Sequence, residues 1–317
     1  DTPEKEEKIL IPFIKRLLEL SVKERRKFLP TIRELQWIKG KFSETFCDHH
    51  RARLLGAVQF VCGNKREMDL GYHIDFNLLC KLLSLYTPSW LAEYINDAES
   101  YLNFNISYEQ LMQLIDMGYM QELSPKRIAQ ILPGYICIRS SLPKGKDTFN
   151  SDLLLKREIT LKEHIWYLFE QESSIGYHND RAQTAYKEGT TSRDESFSAA
   201  FYRFSLDGHL DRNRLLRATL STFNRSFKKD MVNWFAGLFE ELQPRAEELI
   251  SLQEEIMQVF TSPYTKPVNV MLQQLKKIAS EGGFHYQEFI ERATTLFFSS
   301  PKNSLLTIYS IFEQIVT

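Results

Sequence analysis

The sequence is short of turn residues. Its 317 positions hold 13 glycines and 11 prolines, too few to punctuate a many-stranded β fold, so long elements joined by short turns are expected. Cysteine is scarce as well. Cys47, Cys62, Cys80 and Cys137 contain no C-x-x-C pair, which argues against a disulfide scaffold, a zinc knuckle and a dithiol redox motif. Net charge is almost absent: 40 Lys+Arg face 41 Asp+Glu. The molecule as a whole therefore has no electrostatic reason to seek nucleic acid or anionic lipid. Long apolar runs are missing too. Residues 131–138 and Leu153-Leu154-Leu155 fall far short of the ~20 apolar residues that span a bilayer, so no membrane partner is expected. The charged start, Asp1 to Lys8, lacks the apolar stretch of a signal peptide. Reduced thiols and no export signal together place the expected location in the cytoplasm.

Catalytic signatures are equally wanting. G-x-S-x-G and H-E-x-x-H do not occur, and the seven histidines are scattered. Gly145-Lys146-Asp147 fails the phosphate-loop pattern at the hydroxyl position and at the upstream glycine, and G-x-G-x-x-G is absent. No cofactor and no catalytic residue are assigned, and the chain is not expected to be an enzyme. The densest group of metal-capable side chains is Cys47-Asp48-His49-His50, with Cys62 and His73 nearby. A structural zinc site needs four converging ligands. These residues read more simply as the polar start of a helix whose core face is Phe46, Leu54, Val58 and Val61, and no metal is assigned.

What is present is helical. Hydrophobic residues are 43% of the chain and phenylalanines number 22, enough to build a core. Ser21-x-x-Glu24, Ser107-x-x-Gln110 and Thr160-x-x-Glu163 have the spacing of capping boxes. Thr87-Pro88, Ser124-Pro125, Ser262-Pro263 and Ser300-Pro301 place a hydroxyl before a first-turn proline. Gly40, Gly63, Gly118 and Gly282 fall where helical patterns stop. Between these marks the apolar period is 3.6: Val268, Met271, Leu272, Leu275, Ile278 and Ala279 share a face opposite Gln273, Gln274, Lys276 and Lys277. The pattern predicts an all-α chain of roughly 14 to 16 helices with no convincing strand.

A faint repeat runs through it. Apolar helices meet glycines at Leu111 to Met120, Phe201 to Leu210 and Leu275 to Phe284. The glycines Gly118, Gly208 and Gly283 lie 208−118 = 90 and 283−208 = 75 residues apart, near twice the ~34–47 residues of a helical repeat unit. Amphipathic helices also resemble one another by chance, and that alternative stays open. We favour an α-α superhelix of stacked antiparallel helix pairs, HEAT- or armadillo-like. It forms a single elongated domain over residues 1–317, with polar insertions near 140–152 and 173–196. The last apolar stretch, Ser304 to Val316, has no polar capping element after it, and the chain is expected to continue.

The segment Gly208-His-Leu-Asp-Arg-Asn-Arg-Leu-Leu-Arg-Ala-Thr-Leu220, with Phe227 to Trp234 and Leu242-x-Pro244, resembles a bacterial family of unknown function. So does the opening, Ile11-Pro12-Phe13-Ile14 with Leu20-Ser21 and Glu24-Arg25. The resemblance implies a HEAT-like fold in the N-terminal part of a longer bacterial cytoplasmic protein. It implies no activity.

Charge segregation supplies the one candidate surface. From Leu210 to Asp230 six basic residues face two acidic ones, 6−2 = +4. From Phe239 to Glu255 the balance is 1−6 = −5. Arg212, Arg214, Arg217 and Lys228 are thus a candidate basic patch, but compensation between neighbouring helices is the favoured reading. Glu247, Glu248, Glu254 and Glu255 follow within one helix pair, and exposed ion pairs of ~0–1 kcal/mol would answer the arginines. Three functions follow in order: a scaffold that binds another protein, a nucleic-acid-binding or base-repair protein, and a metal enzyme around Cys47 to His50. Nucleic acid is the less expected partner, since the chain is near neutral, but the arginines keep it open.

Overall fold

The computed structural model describes residues 3–38, 41–42, 49–68, 74–97, 106–140, 145–298 and 301–316. Among them are eighteen α-helices and two hairpins of two-residue strands. The low glycine and proline content is answered by helix after helix, so the chain is all-α. It divides into two compact units, Asp1–Ile128 and Ala129–Thr317.

In the first unit the helix His49–Cys62 is central, packed by Pro3–Glu19, Val22–Arg25, Leu29–Gln36 and Phe76–Leu83. Its core gathers Ile14, Ala57, Phe60, Leu79, Leu82 and Tyr94, all fully buried. Ser21 and Glu24 form the expected capping box, as do Ser107 and Gln110. At Ser124 the hydroxyl accepts from the Arg127 N–H at 3.2 Å, with Pro125 opening the next helix. Gly118 ends the Tyr108–Asp116 helix with φ 78°, a left-handed step that a residue with a Cβ takes only at a cost. Trp37–Ile38 pairs antiparallel with Lys41–Phe42. Cys47, Asp48 and His73 lie outside the described residues.

Most of the main helix contacts in the second unit join elements close in the chain. Ile175–Lys187 packs on Phe197–Leu206 and Lys229–Glu241. Arg212–Ser221 packs on Lys229–Glu241 and Ala246–Gln258. Thr265–Lys276 meets Lys229–Glu241, Ala246–Gln258 and Lys302–Val316. Phenylalanines fill the seams: Phe169 lies 5.7 Å from Phe201 and 5.2 Å from Phe235 between ring centres, and Phe289 lies 5.7 Å from Phe312. The predicted face of Val268, Met271, Leu272, Leu275, Ile278 and Ala279 is buried, but so are Val270 and Gln274. Helices on more than one side bury more than a single apolar stripe.

Three expectations change. Residues 173–196, expected as a polar insertion, contain the thirteen-residue helix Ile175–Lys187. Its buried side chains are Ile175, Asn179, Ala182 and Ala185, and with a single large apolar residue among them the helix escapes a reading keyed to such residues. Residues 140–152 join it. The hairpin Cys137–Ile138 with Thr148–Phe149 is bonded to that segment through Phe149 N–H to Thr191 Oγ1 (2.9 Å) and Ser151 Oγ to Glu195 (2.7 Å). Lys146 pairs with Glu188 at 3.1 Å, and Arg181 pairs with Asp147. The polar residues that resemble solvated loop are the bonds between the two segments. Thr160 is no helix cap either; it is buried within Glu158–Lys162. Gly283 also differs from Gly118 and Gly208. Those two take φ 78° and 79°, whereas at Gly283 a Cβ would stand 3.1 Å from Ile250 Cγ2, so close packing is what requires glycine there.

Candidate functional site

The candidate residues sit on and beside the helix Arg212–Ser221, and its start is built from local chemistry. Gly208 turns the chain at φ 79°. The Asp211 carboxylate caps the helix by accepting the Arg214 N–H at 2.6 Å. Arg212 then reaches to the next turn of structure. Its guanidinium donates to Glu248 at 2.6 and 3.0 Å, to the Leu242 carbonyl at 2.9 Å and to the Gln243 carbonyl at 3.2 Å. A bidentate cation there satisfies the open carbonyls after Lys229–Glu241. Glu248 in turn accepts the Arg245 N–H at 2.8 Å at the start of Ala246–Gln258. Burial opposes ionisation of Glu248, but Arg212 together with the Arg245 backbone and side chain outweighs it and holds the carboxyl down at about 2.

The other three candidates differ. Arg217 pairs with Glu255 and donates to Asn213 Oδ1 at 3.0 Å. Lys228 reaches Glu172 at 3.4 Å. Arg214 has no carboxylate partner among the described residues; its guanidinium lies over the Trp166 ring, 3.9 Å from the centre. The four therefore do not form one uncompensated surface. Arg212, Arg217 and Lys228 are each bonded to acidic groups, and Arg214 faces an indole.

Around Arg214 lies a groove of ≈ 730 Å³ whose lining includes Trp166, Asp211, Arg214, Arg217 and Arg225. Arg225 is exposed and has no ion pair among the described residues. Trp166 is 5% exposed and its indole N–H is buried without an acceptor, an uncommon state for a buried donor. Nothing local marks Trp166 as a partner: forty-eight positions separate it from Arg214 (214−166 = 48), and no short-range pattern spans that gap. A second groove, ≈ 700 Å³, runs along Ile175–Lys187 and Phe197–Leu206, with Tyr186, Tyr202 and Leu206 in its lining.

One further cluster escapes the sequence. Glu254, His285 and Glu288 bring ligand atoms within 4.8 Å of one another. All are at least partly exposed, and Glu288 is held by Arg292 at 2.7 Å. Two histidines elsewhere are structural in setting: burial first, then the Arg181 and Arg139 charges, keep His178 below its ordinary value, and burial does the same at His164. Cys62, Cys80 and Cys137 are free thiols, and burial raises Cys62 to about 11. No helix among the described residues is long and apolar enough to cross a membrane.

These features fit a class of all-helical protein whose distinctive short sequence motifs build turns and helix joints. Residues 3–303 match the family described as a domain of unknown function (DUF6493), and the chain belongs to that family. Comparison with curated proteins and with solved structures finds no match.

Proposed function

We propose that the second unit is a HEAT-like stack of helix pairs and serves as a scaffold that binds another polypeptide in the bacterial cytoplasm. The observation that carries this is its packing order. From Phe197–Leu206 to Lys302–Val316 the main helix–helix contacts run to the next, or the next but one, helix in the chain, while Ile175–Lys187 also reaches Lys229–Glu241, three helices on. Stacked repeats pack in this way, and their function lies in extended grooved surfaces. The two grooves offer tyrosine, leucine, tryptophan and arginine, and aromatic residues and arginine are enriched at protein interfaces. Free thiols support a reducing compartment. Nucleic acid is the weaker reading, because Glu255 and Glu172 already answer Arg217 and Lys228. In-cell cross-linking of the full-length protein, followed by mass spectrometry, tests the scaffold. The expected result is a discrete polypeptide cross-linked through residues of the second unit. Cross-links to nucleic acid alone, or none above a control without cross-linker, would overturn it.

A further inference from the structure

The basic side chains around the Arg212–Ser221 helix divide by partner. Arg212, Arg217 and Lys228 are met by Glu248, Glu255 and Glu172. Arg214 and Arg225 are met by no carboxylate among the described residues, and both line one groove. Two exposed guanidinium groups with no carboxylate bonded to them can meet an anion from outside the fold without first breaking an ion pair. The groove carries a second, independent mark. Trp166, in its lining, is buried with an unanswered indole N–H, and the Arg214 guanidinium lies over its ring. A cation parked on an indole keeps its donors available and can swing to an acceptor while the ring remains as a platform.

We infer that this groove binds an acidic segment of a partner protein, with Arg214 and Arg225 pairing to its carboxylates and Trp166 supporting them. The inference rests on the scaffold reading and names the chemistry of its ligand. Carboxylates suit the groove better than a phosphate backbone does. Asp211 and Glu170 stand in the same lining and confine the unpaired positive charge to Arg214 and Arg225, which suits a short run of carboxylates better than an extended phosphate track. The cations that a phosphate track would also use, Arg217 and Lys228, are committed to glutamates.

The test is a fluorescence-anisotropy titration of the full chain at low salt with three labelled probes: octaglutamate, octaglutamine and a single-stranded oligothymidylate. Octaglutamate is expected to bind at least about tenfold more tightly than octaglutamine. Binding should fall about tenfold or more in Arg214→Gln/Arg225→Gln and change less than about threefold in Arg217→Gln. Octaglutamate binding should also shift Trp166 emission in a variant whose other three tryptophans are phenylalanine. Equal binding of octaglutamate by wild type and the double variant would overturn the inference, as would no preference for it over octaglutamine. Tighter binding of the oligothymidylate would overturn it in favour of nucleic acid. If cross-linking still captures a polypeptide with the double variant, the scaffold stands and only this groove's role falls.

Discussion

Arg212 and Arg214 stand two residues apart on one helix, and their surroundings differ in kind. Arg212 is nearly enclosed, bonded twice to Glu248 and again to the carbonyls of Leu242 and Gln243. It joins the end of one helix to the start of the next. Arg214 lies exposed over an indole, beside a groove and an equally unpaired Arg225. The two are equal in charge and in distance along the chain, so charge counting treats them alike. The difference teaches that burial and partner, not composition, divide a structural cation from one available to bind.

The largest effect should come from removing what supports both regions. Phe235 is fully buried and packs on Phe169, which lines the groove. Phe235→Ala should cost about 3–5 kcal/mol in chemical denaturation of the full chain. The comparison itself is sharpened by Glu248→Ala, which strands a largely buried guanidinium and should cost roughly 2–4 kcal/mol. Glu255→Ala, which releases the more exposed Arg217, should cost under about 1 kcal/mol. Equal costs for the two would mean that the Arg212 joint is no more structural than the surface pair.

Acid provides a smaller and continuous version of the same contrast. The Glu248 carboxyl is depressed from 4.5 to about 2 in the fold, so it binds fewer protons folded than unfolded. Its stabilisation is present in full above pH ~4.5 and drains away as pH falls toward ~2, by at most roughly 3 kcal/mol. Denaturation midpoints should therefore drop more between pH 5 and pH 3 in wild type than in Glu248→Gln. Parallel losses in the two proteins would show that other groups dominate. The smallest effect is reserved for Arg214→Ala, expected to change stability by less than about 1 kcal/mol. That substitution should still alter the emission of Trp166, because it uncovers the ring.

Several elements were legible beforehand because their causes are local. Ser21 with Glu24 and Ser107 with Gln110 cap helices through atoms three residues apart. Gly118 and Gly208 stop helices by a backbone angle that glycine takes freely. The failures share a different cause. Thr160 has the capping spacing, yet packing buries it inside a short helix. Ile175–Lys187 is hidden by its own residues, since Ala182 and Ala185 fill a seam in which larger side chains would not be needed. Gln274 is polar and buried because a helix packed on more than one side loses its solvent face. Of the site, Arg212, Arg214, Arg217 and Lys228 were visible as charge, and Glu248 and Glu255 as members of the acidic run expected to compensate them, but the individual pairings, Glu172 and Trp166 were not legible.

By itself the sequence determined that this protein is helical and where many of its helices start and stop. Period, caps and glycine angles act over a few bonds, and no distant residue is required to express them. Only the tertiary structure decided which cations are spent on the fold and which remain open. An ion pair or an indole contact depends on groups tens of residues apart in the chain, brought together by burial of the aromatic core between them. Arg212 reaches Glu248 across 36 residues, and Arg214 reaches Trp166 across a longer span still, because the helices that carry them share one packed interior.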